Sequence, residues 1–223
     1  MTRNFLAGLL DLLYPPKCVF CRGLLEPDER EICRECRMNL PVFDGPQRTG
    51  RYFSALCAPL RYEGVVRESL LRYKFGGLRQ YAACYGELLA AAASTRLAGK
   101  FNLITWVPAG RRRRRKRGYD QALLLAEETG KRLGLRPVPT LRKPRDNPAQ
   151  SSMANAGSRR ANVMGVYEPV RPERFAGKRV LLIDDIITTG ATLSEAARTL
   201  RTAGAADVVC AALAAADERE NSR

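Results

Sequence analysis

Asp184 and Asp185 stand side by side directly after the apolar run 180–183, and Thr188, Thr189, Gly190, Ala191 and Thr192 follow at the entrance to a helix-forming segment. Small residues and a glycine let backbone N–H groups approach an anion closely, the threonine hydroxyls add donors, and a helix N-terminus contributes roughly half a positive charge. That is a phosphate cradle without a lysine. It differs from a Walker loop, which carries Lys before its Ser or Thr, and from the Gly-rich dinucleotide fingerprint. Two carboxylates beside such a cradle repel a phosphate unless they contact sugar hydroxyls or a divalent cation, so the combination selects a sugar phosphate such as a ribose phosphate. Neighbouring side chains of an extended strand point to opposite faces. Both carboxylates therefore reach one ribose only if the strand ends there and the chain turns; otherwise one of them is structural.

A second constellation lies near the start of the chain. Cys18-x-x-Cys21 and Cys33-x-x-Cys36 form two knuckles separated by eleven residues. Four thiolates in this pattern suit tetrahedral zinc, with sulfurs at about 2.3 Å; reduced or redox-active thiols are the other reading. A segment of about 40 residues buries too little apolar surface to fold alone, whereas structural zinc supplies on the order of 10–16 kcal/mol to such peptides. Such a site is closed, without an open position for catalysis. Cys57, Cys84 and Cys210 have no partner at metal spacing and read as small buried apolar residues.

The third group follows the strand-length run 102–107. Pro108, Ala109 and Gly110 form a small-residue loop before seven consecutive basic residues, 111–117, and Gly118-Tyr119 opens the next helix. In open α/β sheets ligands sit beyond the carboxyl ends of strands, so this loop and its flanking arginines suit a pyrophosphate. Arg113 and Arg117 are the candidates for that ligand, and the rest of the run reads as a solvated surface. The same run suits nucleic acid phosphates, with Trp106 and Tyr119 the only aromatic platforms nearby. The basic, breaker-rich segment 142–150, followed by Arg159-Arg160-Ala161-Asn162-Val163, reads either as a lid over a ligand or as a surface insertion.

These groups must be positioned by the elements around them. In a chain of 223 residues, 45% hydrophobic and 27% charged, there is room for one α/β domain and a small attached module. The expected division is an N-terminal helix and zinc ribbon at 1–45, a linker at 46–51, the main domain at 52–216 and a tail at 217–223. Helices are expected at 65–75, with Val66, Leu70 and Tyr73 on one face and Gly76-Gly77 as the stop, and at 81–97, 120–133 and 194–200. Strands are expected at 102–107, 138–141, 180–183 and 208–213. Alternating strands and helices imply a parallel sheet covered on both faces. The formal net charge of +15 without any histidine points to an anionic ligand or partner, and excludes His-based catalysis and His-ligated metal. No apolar run reaches the roughly 20 residues that cross a bilayer. Residues 5–13 read as an amphipathic helix rather than a signal peptide, which implies a cytoplasmic location.

The stretch 180–192 resembles the thirteen-residue phosphoribosyl-diphosphate (PRPP) motif of type I phosphoribosyltransferases. The whole order of parts resembles the ComF family, bacterial proteins with a zinc ribbon and a phosphoribosyltransferase-like domain linked to natural DNA uptake. The family's middle motif usually carries Phe and Asn where this chain has Tyr119 and Asp120. The resemblance implies a type I phosphoribosyltransferase-like α/β fold, PRPP with Mg2+ as ligand, and a role near imported single-stranded DNA among competence or DNA-uptake proteins. It supplies no acceptor base. One reading is a PRPP-binding DNA-uptake factor. The alternative is a catalytically active phosphoribosyltransferase with an unidentified acceptor, in which Asp184, Asp185 and the basic loop stabilise an oxocarbenium-like centre.

Overall fold

The computed structural model describes residues 15–45, 47–144 and 165–216. The expected N-terminal helix, most of the expected lid and the tail lie outside the described residues. In chain order the elements are α1 (Arg34–Asn39), β1 (Arg48–Gly50), β2 (Phe53–Cys57), β3 (Leu60–Arg61), α2 (Gly64–Phe75), α3 (Tyr81–Arg96), β4 (Leu103–Trp106), α4 (Arg111–Arg117), α5 (Gln121–Leu133), β5 (Leu141–Arg142), β6 (Glu168–Pro169), β7 (Arg179–Ile187), α6 (Ala191–Thr202) and β8 (Asp207–Ala215).

Val180, Leu181, Leu182 and Ile183 are all fully buried, as expected for a central strand covered on both faces. The sheet runs β1-β2-β8-β7-β4, with β3 continuing along the edge of β8. Strand β7 pairs in parallel with β4 on one side, Leu103 opposite Val180, and with β8 on the other, Arg179 opposite Asp207. Its alternation feeds two cores. Leu181 and Ile183 pack with Val66, Leu70, Tyr73, Tyr85 and Leu125 of α2, α3 and α5, whereas Val180 and Leu182 pack with Leu193, Ala197 and Leu200 of α6. Cys57, Cys84 and Cys210 are buried in these cores.

The strands β2, β8, β7 and β4 pair in parallel as expected, and the short edge strand β1 runs antiparallel to β2. Only Arg51 and Tyr52 join β1 to β2, and two residues close a hairpin but cannot make a parallel crossover. Several other expectations are corrected. Residues 48–50 lie in the segment expected to be a linker and form this edge strand. The basic run is a helix, ended by Gly118 in a left-handed conformation at φ 78; arginine and lysine are good helix formers, and glycine adopts that conformation without a Cβ penalty. The 138–141 strand is displaced to Leu141–Arg142, which pairs with β6 in a separate two-stranded sheet. Strand β7 is longer than expected, because β8 pairs with it as far as Ile187 opposite Ala215.

The cysteine module packs directly on the domain. Val19 and Phe20 belong to the α2–α3 core. Ser69 donates to Val19 O at 2.6 Å and Arg72 donates to Phe20 O, so α2 is tied to the module by two side chains one turn apart. No helix among the described residues is long and apolar enough to cross a membrane.

Candidate functional site

Two loops leave the carboxyl ends of β4 and β7 and meet. Residues 107–110, with Arg113, Arg117, Asp120 and Gln121, and residues 184–193 line one cavity of 340 Å³, joined by Tyr62, Lys74, Lys143 and Tyr167. All of the candidate ligand residues, Asp184, Asp185, Thr188, Thr189, Gly190, Ala191, Thr192, Arg113 and Arg117, line this cavity.

The phosphate cradle is built by the β7–α6 turn. Gly190 sits at φ 71 as the N-cap of α6 and no side chain caps the helix, so the first-turn amides are not taken by a capping oxygen. Thr189 Oγ1 accepts only a long contact, 3.4 Å, from Ala191 N.

The carboxylate pair has a defined geometry. Strand alternation puts Asp185 on the α2 side, where its Oδ1 meets Lys74 Nζ at 2.9 Å, the side chains being 14% and 17% exposed. Asp184 accepts from the Asp185 N–H at 2.8 Å. Beyond Asp185 the alternation slips: Ile186 packs with the α2-side core and Ile187 with the α6-side core. The strand does not end at the pair as expected: β7 keeps its register with β8 to Ile187, and both carboxylates nevertheless line the cavity. Burial, and then the charge of Asp185, push Asp184 up to about 8, against the opposing effects of the Asp185 N–H bond and of Lys74. A cation bound beside such a carboxyl would favour its charged form.

The opposite wall is organised by Asp120. This residue accepts from Ala109 N–H at 2.9 Å and caps α5 through Leu123 N–H at 3.4 Å, fixing the small-residue loop to the helix behind it. Burial raises its pKa, and the two N–H bonds oppose that rise. Along α4 the spacing i, i+4 turns Arg113 and Arg117 toward the cavity, while Arg111, Arg112, Arg114, Arg115 and Lys116 are exposed. Arg117 donates to Gln121 Oε1 at 2.9 Å, and its guanidinium lies 5.0 Å from the Phe75 ring centroid. The other end of that amide, Gln121 Nε2, is buried with no hydrogen-bond partner among the described residues. A buried donor on a cavity wall without a protein acceptor is an expensive arrangement unless a ligand oxygen faces it.

Lys74, Gln121 and Phe75 are the residues that sequence reasoning missed. The end of α2 is brought to the cavity by packing, and no local pattern marks it. Gln121 follows the expected helix start directly, which places it near the loop, but its orphaned amide emerges only from the packing.

The four cysteines form the second site. The sulfurs of Cys18, Cys21, Cys33 and Cys36 all lie within 4.8 Å of one another, with Cys21 and Cys33 at 3.6 Å. A tetrahedral zinc at about 2.3 Å from each sulfur sets them about 3.8 Å apart. Backbone N–H groups of Gly23, Cys33 and Cys36 point at the sulfurs of Cys21, Cys18 and Cys33 at 3.3–3.4 Å, as thiolate ligands require. The donor set fits structural zinc.

Comparison with known proteins adds to this geometry. Residues 120–223 match the phosphoribosyl transferase domain and residues 9–52 the double zinc ribbon domain. Competence protein F of Haemophilus influenzae is 25% identical over 86% of this chain and 93% of its own length. Competence protein ComFC of Bacillus subtilis is 27% identical over 82% of each chain. Among solved structures, an adenine phosphoribosyltransferase from Thermoanaerobacter pseudethanolicus is 20% identical with a TM-score of 0.39, over 63% of this chain and 83% of that one. A glutamine phosphoribosylpyrophosphate amidotransferase from B. subtilis is 22% identical with a TM-score of 0.42, over 60% of this chain and 26% of that one. The chain thus carries a match to a double zinc ribbon ahead of a match to a phosphoribosyl transferase domain, and over most of its length it is similar to competence proteins F and ComFC.

Proposed function

We propose that the cavity binds PRPP with magnesium, and that the protein serves natural competence in the cytoplasm by handling single-stranded DNA during uptake. The observation that carries the reading is the convergence of the 107–110 loop, Arg113, Arg117, the carboxylate pair and the α6 N-terminus on one cavity. In this reading the amides and hydroxyls of residues 188–192 hold the 5′-phosphate. Asp184 and Asp185 face the ribose hydroxyls and the magnesium that accompanies a pyrophosphate; such ions bind through one or two carboxylates together with ligand phosphates. The 107–110 loop, Arg113 and Arg117 face the pyrophosphate, and Gln121 Nε2 donates to a ligand oxygen. The five exposed cations of α4 and the net charge of +15 support a nucleic acid partner.

Calorimetry with PRPP and MgCl2 tests the site. The wild type is expected to bind one equivalent, and Asp184→Ala with Asp185→Ala together, or Gln121→Leu alone, to weaken binding at least tenfold. Absence of heat with the wild type, or equal affinity in all three proteins, would refute the assignment. Pyrophosphate release that depends on an added nucleobase or amine, read in the same samples, would assign catalysis as well as binding.

A further inference from the structure

Phe75 is the last residue of α2 and is 63% exposed, the one exposed large aromatic among the described residues. It lies between Lys74, which lines the cavity, and Gly76-Gly77. Gly77 follows at φ 71, and a Cβ there would meet nothing within 4 Å among the described residues. The Arg117 guanidinium lies 5.0 Å from the Phe75 ring centroid. The ends of α2 and α4 are joined a second time by Arg79, which donates to Gly118 O at 3.1 Å and lies 5.1 Å from the Tyr119 ring centroid. A flat aromatic face is thus held in place at the end of α4, whose solvent side carries Arg111, Arg112, Arg114, Arg115 and Lys116.

We propose that Phe75 is a stacking platform for one base of a single-stranded DNA whose phosphates run along the solvent face of α4. An aromatic face beside a row of cations is the arrangement by which proteins hold single strands without reading sequence. A duplex offers no free base face within its stack, and an acidic peptide would use the cations but not the ring. Because Arg117 touches Phe75 and also lines the cavity, the strand and the cavity ligand share one side chain. The proposal rests on the single-strand part of the function proposed above.

The test uses the zinc-loaded full chain and two fluorescein-labelled oligomers, dT12 and a 12-mer of abasic sites with the same phosphates, read by anisotropy. A stacked base contributes roughly 5- to 150-fold in affinity, so Phe75→Ala is expected to weaken dT12 by at least about fivefold and to leave the abasic oligomer within about twofold. Phe75→Trp is expected to retain dT12 affinity, and its emission above the Trp106 background to be quenched by unlabelled dT12 but not by the abasic strand. Equal loss on both oligomers, no loss on dT12, or emission of the Phe75→Trp protein that dT12 leaves unquenched overturns the platform. If dT12 does not bind the wild type, this proposal and the single-strand reading fall together. If dT12 binds regardless of Phe75, only the platform falls.

Discussion

Neutralising the solvent face of α4 should change how binding of single-stranded DNA responds to salt. Five of the seven cations of this helix are exposed and two turn inward. Each phosphate neutralised on a single strand contributes about −0.7 to the slope of log K against log salt, so five contacts give a slope of about −3.5. Affinity then falls roughly a hundredfold between about 50 and 200 mM salt. Arg114→Gln, Arg115→Gln and Lys116→Gln together leave two exposed cations and a slope of about −1.4, a fall of roughly sevenfold over the same range. Glutamine keeps a helix propensity close to that of arginine and lysine, so α4 should survive, and Arg113 and Arg117 are untouched. Anisotropy of labelled dT12 at four KCl concentrations measures both slopes. A triple variant whose slope matches the wild type would show that the strand does not follow this face, and a wild-type slope near zero would remove the electrostatic argument altogether.

Chelation of zinc, or Cys36→Ser, should remove one metal equivalent per chain and lower the thermal midpoint, because the ribbon core including Phe20 packs on α2 and α3; metal analysis with calorimetric melting checks this, and Cys57→Ala should retain the metal. Asp184, pushed up to about 8, keeps in the folded state a proton that the unfolded chain, at about 4, has already lost. Stability is therefore lost as pH rises between these values, and Asp184→Asn should exceed the wild type by on the order of 2 kcal/mol above pH 8, less than the full linkage because the cavity is open to solvent. That advantage should shrink towards pH 4; urea midpoints at the two ends decide, and an advantage independent of pH would contradict it. Gly86 lies where α3 crosses α5, and a Cβ there would come within 2.4 Å of Glu128 Cβ and 2.8 Å of the Glu128 carbonyl carbon. Gly86→Ala should cost about 1–3 kcal/mol by forcing the helices apart, and an unchanged urea midpoint would refute the close approach.

What the sequence reveals about the site is what lies in one contiguous stretch. The carboxylate pair, the threonines and Gly190 occupy nine consecutive positions, and the cysteine knuckles nineteen, so residue type and spacing alone carry their chemistry. Lys74 reaches the cavity from more than 100 residues before Asp184, placed by the packing of Leu70 and Tyr73 under the sheet, and no local spacing encodes that distance. The hairpin of β1 and β2 is obscured because Phe53–Cys57 is short and sits beside the turn residues of the expected linker. The basic run has no apolar periodicity, yet Arg117 over Phe75 and Gly118 at its end fix it as a helix. That Asp184 and Asp185 both line the cavity although β7 runs on past them to Ile187 is a feature that residue types do not signal.

Helix α2 makes the metal and the ligand site neighbours without bringing them near each other. Ser69 and Arg72 hold the carbonyls of Val19 and Phe20 within the ribbon, and Lys74 follows a half-turn later with its ammonium on Asp185. A chain stripped of zinc releases those carbonyls and with them the anchor that sets the helix end. Metal supply and ligand affinity are then thermodynamically linked: whatever is held through Lys74 should bind more weakly to the metal-free protein and should, in return, slow the loss of zinc. Occupancy of a cavity that contains none of the zinc ligands would then fall with the metal.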